Sequence, residues 1–198
     1  KNNDISRIVS IRSVKKQFTR SKRKLLMPYI LPLRGFTPKL GENCFIAVNA
    51  TIVGDVIMGN DCSIWFNAVV RGDVNSIIIG DKVNIQDGVC IHCTFEKTKT
   101  IIGNNVSIGH NAIVHGCTIE ENVLVGMGAI IMDNAYIEKN ALIAAGAVVL
   151  EGTRVEAGSI YAGVPAKKVK SLAPETFKDM NERIANNYIK YASWFKEQ

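Results

Sequence analysis

The chain has 198 residues, of which 47% are apolar, which is enough for one domain with a hydrophobic core and argues against an intrinsically disordered protein. The formal net charge of +6 is unevenly spread, because residues 1–26 hold nine Lys or Arg against Asp4 alone, so the rest of the chain carries −2. Charge therefore gives no indication of nucleic-acid or membrane binding, and no apolar run is long enough for a secretory signal or a membrane span.

The basic N-terminal segment is rich in Ser and Arg and poor in acidic residues, as organelle transit peptides are. We interpret residues 1–33 as a basic extension that is a leader, a solvated arm or sequence upstream of a natural start at Met27. Five cysteines, an odd number without a secretory signal, argue against a disulfide framework and favour a reducing compartment. The cytoplasm is expected, with the mitochondrion as the alternative if the segment is a transit peptide.

An apolar residue recurs every six positions from Leu40 to Tyr161, with three interruptions. The series is Leu40, Ile46, Ile52, Met58, Ile64, Val70, Ile79, Ile85, Ile91, Ile102, Ile108, Val114, Ile119, Val125, Ile131, Ile137, Ile143, Val149, Val155 and Tyr161. Three such units per turn stack short strands into triangular coils that bury one large side chain on each face. The pattern predicts an all-β solenoid of about six to seven coils over residues 34–172, and its isoleucine-rich repeat resembles the left-handed parallel β-helix family.

The positions between these apolar residues fit the same geometry. Four residues after each apolar position, all but two units hold Ala, Val, Cys, Ser or Thr, which indicates a cramped interior site. Three residues after it, most units hold Asn, Asp or Gly, the residues that best tolerate a left-handed backbone. We therefore expect a tight corner at each of these positions.

The period changes at Pro174. Apolar residues then recur every three or four positions, the amphipathic pattern of a helix, and proline suits the first turn. Residues 173–198 are therefore predicted to form a C-terminal helix packed on one face of the β-helix.

Because three units complete a coil, units three apart lie on the same face, about 4.8 Å from one another. This register puts Arg71, His92 and His115 in one outward column. On an adjacent face, Asp87 and His110 stack in the same way, with Gln86 beside them. His92 and His115 are then close enough to share a metal ion at about 2.0 to 2.1 Å from each nitrogen.

His110 leaves from a different side of the triangle, so it cannot readily converge with the other two histidines of its own chain. We expect a rotationally related neighbour to present its His110, a heterologous contact that closes a ring after three copies. Three imidazoles around a metal leave a fourth position open, as in catalytic sites. The residues alone therefore predict a homotrimer with a metal at each interface; the alternative is that the histidines only decorate a solvated surface.

The stretch RGDVNSIIIGDKVNIQDGVCIH, followed by IGNNVSIGHNAIVHGC, resembles the gamma-class carbonic anhydrases. The likeness covers roughly residues 34–172 and rests on Arg-Gly-Asp, Asn-Ile-Gln-Asp and Gly-His-x4-His-Gly. It implies that His92 and His115 of one subunit and His110 of the next ligate Zn²⁺, or Fe²⁺ or Co²⁺, at each subunit interface. The implied reaction is attack of metal-bound hydroxide on carbon dioxide to give bicarbonate.

The resemblance also suggests roles for other residues. Arg71 and Asp73 would form an interface ion pair that orders the site, Gln86 would position the hydroxide, and Asp87 would line the pocket or the interface. Each of these two residues has a simpler alternative explanation. Arg71 only bridges subunits, and Asp73 occupies a corner position where Asp is common because it tolerates the backbone conformation. The long acidic loop of the archetype is replaced by the short segment 93–100, where Glu96 is the sole acid and proton transfer is expected to be weaker.

Two other functions are compatible with the repeat. Many hexapeptide-repeat proteins are acyl-CoA-dependent acyltransferases or act on CoA thioesters, and the C-terminal motif Tyr161-Ala-Gly-Val-Pro-Ala-Lys is similar to theirs. Other relatives are non-catalytic assembly subunits of respiratory complexes. Three histidines next to Gln86 exceed what a single catalytic base requires, so the sequence favours the metalloenzyme.

Overall fold

Short parallel strands, mostly two or three residues long, stack on three faces of a prism in a computed structural model that describes residues 27–171 and 173–196. They form a left-handed parallel β-helix of about seven turns, followed by a helix, α1 (Pro174–Lys196). The predicted fold class is confirmed. The basic segment 1–26 lies outside the described residues, and the expected division of the chain at residues 33 and 172 stays a prediction.

The strands are assigned to three faces by their pairing. Face A holds β1 (Tyr29–Leu31), the first part of β4 (Thr51–Met58), the first part of β6 (Val69–Ile79), β8 (Cys90–His92), β11 (Ile113–His115), β14 (Ile130–Ile131) and β17 (Val148–Val149). Face B holds β2 (Lys39–Leu40), the ends of β4 and β6, β9 (Thr100–Ile102), β12 (Thr118–Ile119), β15 (Tyr136–Ile137) and β18 (Arg154–Val155). Face C holds β3 (Phe45–Ile46), β5 (Ser63–Ile64), β7 (Asn84–Ile85), β10 (Ser107–Ile108), β13 (Leu124–Val125), β16 (Leu142–Ile143), β19 (Ser159–Ala162) and the antiparallel β20 (Lys167–Ser171).

The corners adopt the backbone that their sequence predicts. Most Asn, Asp and Gly residues at the third position after the apolar one have positive φ, between 56° and 71°. They are Asn43, Asp61, Asn67, Gly88, Asn105, Asn111, Asn122, Gly128, Asn134, Asn140, Gly146, Gly152 and Gly158. These residues meet the left-handed corner at low steric cost, so the chain turns without losing the register between coils.

The interior is a continuous apolar column. The large residues of the repeat stack inside the prism, among them Ile64, Ile85, Ile108, Ile131 and Ile143, all fully buried. The small residues four positions later are buried as well, including Ala68, Ala112, Ala129, Ala141 and Ala147. A larger side chain at these narrow positions would meet the close-packed neighbours.

Helix α1 lies on face C and runs from a later coil back to the first. Near its start, Phe177 is fully buried and Asn181 donates a hydrogen bond to the backbone carbonyl of Asn122. Near its end, the Phe195 ring lies 5.5 Å from that of Phe45, and Lys196 Nζ donates to the Asn43 carbonyl at 2.7 Å. In the part of the chain that the structure describes, no helix has the length and apolar character to cross a membrane.

The adjacent residues Ile101 and Ile102 test the assignment of interior positions. Ile102 is 2% exposed and Ile101 is 40% exposed. We expect Ile102→Ala to lower the free energy of unfolding by about 2 to 5 kcal/mol, because it leaves a cavity in the column. Ile101→Ala should change it by less than about 1 kcal/mol. Urea unfolding followed by circular dichroism measures both, and equal losses would contradict the assignment.

Candidate metal centre

Two histidines meet on face A because β8 and β11 are in register. The pairing sets His115 opposite His92 in the next coil, and their ring centroids are 5.2 Å apart. His92 Nδ1 and His115 Nε2 face one another at 3.2 Å. The column that the repeat predicted therefore brings two imidazole nitrogens to one point on the surface.

Each ring has its other nitrogen against a carboxylate. His92 Nε2 lies 2.9 Å from Asp73 Oδ1, and His115 Nδ1 lies 2.8 Å from Asp133 Oδ2. An ionised carboxylate only accepts hydrogen bonds, so these two ring nitrogens carry the protons. When both rings are neutral, the nitrogens that face one another are both unprotonated acceptors, an arrangement that a shared cation stabilises.

Asp73 contacts two other predicted site residues, Arg71 and His92. Its Oδ2 pairs with Arg71 Nη1 while its Oδ1 meets His92, so Arg71 and Asp73 form an ion pair within one chain. Burial opposes its ionisation, but the bonds from His92 and Arg71 outweigh this and lower the Asp73 pKa. Asp73 lies within β6 and is not among the residues with positive φ, so the corner explanation for an Asp at this position does not apply.

Burial, aided by the nearby Arg71 charge, lowers the pKa of the His92 imidazole below its ordinary value, although Asp73 opposes the shift. The neutral imidazole is therefore favoured near pH 7. Neutral imidazole is the form that binds metal ions.

Asp133 is a residue of the site that the sequence did not indicate. Its Oδ1 accepts hydrogen bonds from Thr98 Oγ1 at 2.7 Å and from Thr94 Oγ1 at 3.0 Å, both in the short loop after His92. Asp133 comes from the coil after His115, beyond the point where the repeat is one residue short. Counting repeat positions does not predict this contact. Both threonines lie in an insertion, which has no repeat, and Asp133 lies outside the column that holds His92 and His115.

The third histidine lies on face C. His110 Nδ1 is 2.9 Å from Asp87 Oδ2, as the predicted stacking of these two positions requires, and both side chains are about two-fifths exposed. Gln86 is buried and donates to Asn84 Oδ1 at 3.0 Å. Gln86 and His110 line a cavity of about 400 Å³ whose other walls are largely apolar: Leu124, Met127, Leu142, Ile184 and Tyr188.

Within one chain the three histidines do not converge. Among the residues that the structure describes, no group of three His, Cys, Asp or Glu side chains is arranged to hold a metal ion. Glu96 is exposed in the loop that follows His92, with a φ of 52°. Carboxylate contacts to His92 and His115 come from Asp73 and Asp133 instead.

The histidine pair nevertheless fits part of a metal site. Two nitrogens bound to one tetrahedral ion at 2.0 to 2.1 Å are roughly 3.3 Å apart. The 3.2 Å separation of His92 Nδ1 and His115 Nε2 is close to this value. Ligating imidazoles also commonly donate their other N–H to a carboxylate, as both rings do here. The donor set is thus suited to zinc or a similar ion and needs ligands from outside this face.

Gly116 provides the space for Asp133 and gives a test of this packing. A Cβ on Gly116 would lie 2.0 Å from Asp133 Oδ1 and 2.3 Å from Thr98 Oγ1, and its φ is +56°. We expect Gly116→Ala to destabilise the protein more than Gly152→Ala, which has a similar φ of +67° but open space around its Cβ. The control should cost about 1 to 2 kcal/mol from backbone strain alone. Equal melting temperatures for the two variants would contradict the close contact.

Comparison with protein families agrees with the repeat. The family model described as bacterial transferase hexapeptide (six repeats) matches residues 37–72, 99–133 and 116–151. A crystal structure of a hexapeptide transferase family protein from Anaplasma phagocytophilum superposes with a TM-score of 0.79 at 39% identity, covering 84% of this chain and 98% of that one.

Two curated relatives are more specific. A carbonic anhydrase of Geobacillus kaustophilus is 46% identical over 84% of this chain and 91% of its own length. Gamma carbonic anhydrase 2, mitochondrial, of Arabidopsis thaliana is 40% identical over 79% of this chain and 58% of its own length. With this level of identity over most of its length, the chain belongs to the gamma-class carbonic anhydrase family.

Proposed function

We propose that the protein catalyses the reversible hydration of carbon dioxide to bicarbonate, as a homotrimer with one Zn²⁺, or Fe²⁺ or Co²⁺, at each subunit interface. The observation that carries the proposal is the pair of imidazole nitrogens, His92 Nδ1 and His115 Nε2, that face one another 3.2 Å apart. The relatives named as carbonic anhydrases support the reaction.

A metal ion at this point would lower the pKa of a bound water to near 7 and so supply hydroxide at neutral pH. His92 and His115 of one subunit would hold the ion, together with His110 of the next. Gln86, which lines the same cavity as His110, would orient the attacking hydroxide through its amide. Asp73 would keep the His92 ring in place, and Arg71 would neutralise the negative charge of Asp73.

Matching surfaces support the trimer. On face A, the strand register continues the histidine column through Met132 to Leu150, which are 38% and 47% exposed. On face C, the same coils continue from His110 to the exposed Met127 and then to Ala145, which lines the cavity. On both faces the histidine is followed by apolar residues in the next two coils. A rotation about an axis parallel to the prism therefore places the histidines of face A and face C at the same coil, with the apolar residues opposite one another. Three such contacts close a ring.

The cavity beside His110 suits the substrate. Carbon dioxide has no net dipole, and Leu124, Met127 and Leu142 offer it an apolar wall next to the proposed ion. Asp87 would lie at the edge of this pocket through its contact with His110. Glu96 is the only acid of the loop after His92, and its exposed position supports proton release to buffer rather than a fixed relay.

An acyltransferase remains the second candidate, because the matching family model describes transferases and the apolar cavity next to His110 has room for an acyl group. Retention of the protein on a coenzyme A resin, without bound metal, would favour that function. The five free cysteines support a reducing compartment such as the cytoplasm. The name of the Arabidopsis relative keeps the mitochondrion as the alternative.

Mixing two inactive variants tests the shared site. We expect His92→Ala and His110→Ala each to abolish stopped-flow carbon dioxide hydration, since each removes a ligand from all three interfaces. Refolding them together at equal ratio should restore about one quarter of wild-type activity, because that fraction of interfaces pairs an intact face A with an intact His110. Absence of recovery, with mixed trimers present, would argue against a site between subunits. Wild-type activity in His110→Ala alone would overturn the proposal.

The apolar column on face A tests the contact itself. We expect Leu150→Lys to convert the trimer into monomers, because the lysine would be buried without a partner. Ile101→Lys on face B is the matched control, since Ile101 is similarly exposed but lies away from the proposed interface. Analytical ultracentrifugation reports the mass of each variant. A trimeric Leu150→Lys variant would show that this column does not form the contact.

A further inference from the structure

The loop after His92 and the coil after His115 meet at Asp133, a contact that none of the predicted roles uses. Asp133 Oδ2 accepts from His115 Nδ1, and Asp133 Oδ1 accepts from the hydroxyls of Thr94 and Thr98. Thr98 is 6% exposed, and its Oγ1 also accepts the backbone N–H of Thr94 at 3.0 Å. Both oxygens of Asp133 are thus occupied, and its orientation is fixed from two sides.

The same loop also fastens the two histidine strands together. Thr100 Oγ1 donates to the His92 carbonyl at 2.7 Å and accepts the Gly116 N–H at 3.0 Å. Gly116 follows His115 directly, and its missing side chain leaves the space that Asp133 and Thr98 occupy. The short loop therefore holds both the strands and the carboxylate behind His115.

We infer that Asp133 is a positioning residue that, supported by Thr94 and Thr98, fixes His115 as the Nδ1–H tautomer and so directs its Nε2 lone pair at the metal. This inference rests on the proposed function and assigns a role to a short loop in which Glu96 is the sole acid. In a neutral imidazole, the ring nitrogen that faces an ionised carboxylate is the protonated one, so the opposite nitrogen is free to bind.

Asp133→Asn gives a sharp test because it keeps the size and changes the hydrogen bonding. The two threonine hydroxyls favour the amide oxygen at the Oδ1 position, which turns the amide NH2 toward His115 Nδ1. An NH2 group donates, so Nδ1 must then accept and the proton moves to Nε2. We expect the metal-free variant to show His115 as the Nε2–H tautomer in long-range ¹H–¹⁵N spectra, which are simple because the chain has three histidines.

The same variant should bind Co²⁺ roughly 10- to 100-fold more weakly than the wild type in a chelator competition followed by visible absorption. Asp81→Asn is the matched control, since Asp81 accepts a hydrogen bond from the Asn60 N–H at 2.7 Å and, within the described part of the chain, pairs with no histidine. It should leave the tautomer and the cobalt affinity unchanged. If Asp133→Asn does not fold, Thr98→Val should weaken cobalt binding while Thr98→Ser retains it.

The outcomes separate the two proposals. A wild-type protein that binds Co²⁺ and hydrates carbon dioxide, with an Asp133→Asn variant of equal affinity and unchanged tautomer, would overturn the inference and leave the function standing. An Nε2–H tautomer of His115 in the metal-free wild type would overturn the inference as well. A wild type that binds no metal would overturn the proposed function itself.

Discussion

In-register stacking of parallel coils is the constraint on which this structure depends. Each coil repeats the backbone path of the previous one, so residues at equal positions lie one strand spacing apart. His92 and His115 are neighbours for this reason, although 23 residues separate them in the chain. The left-handed corners at residues such as Asn105 and Asn111 preserve this spacing, because a corner that strained the backbone would shift the following strand.

The same stacking explains why the three histidines of one chain do not converge. Side chains on different faces of a triangular prism point in directions that diverge, so His110 can pair with Asp87 below it but not with His92 or His115 across the corner. A site made of all three histidines of one chain would need side chains from faces A and C to converge. The proposed metal site therefore lies between copies, where one prism would supply face A and another would supply face C.

Much of the fold and part of the site could be predicted from the sequence. Repeat counting placed Ile102 inside, Asn122 at a corner, and His92 beside His115, because each of these facts depends only on position within a coil. Asp133 could not be predicted as a site residue, because its contact with His115 arises where the repeat shortens by one residue and a glycine opens space. The loop threonines could not be predicted for a related reason. An insertion has no period, so its hydrogen bonds follow from the surrounding packing rather than from spacing.

Helix α1 changes how such a molecule comes apart. A solenoid held only by contacts between adjacent coils frays from its ends, and each terminal coil opens almost independently of the centre. Here Lys196 and Phe195 contact the first coil, while Asn181 of the same helix contacts Asn122 several coils away. The first coil therefore cannot open without also releasing a helix that is anchored near the middle of the β-helix. This long-range link makes opening a more collective event than the repeat alone would allow.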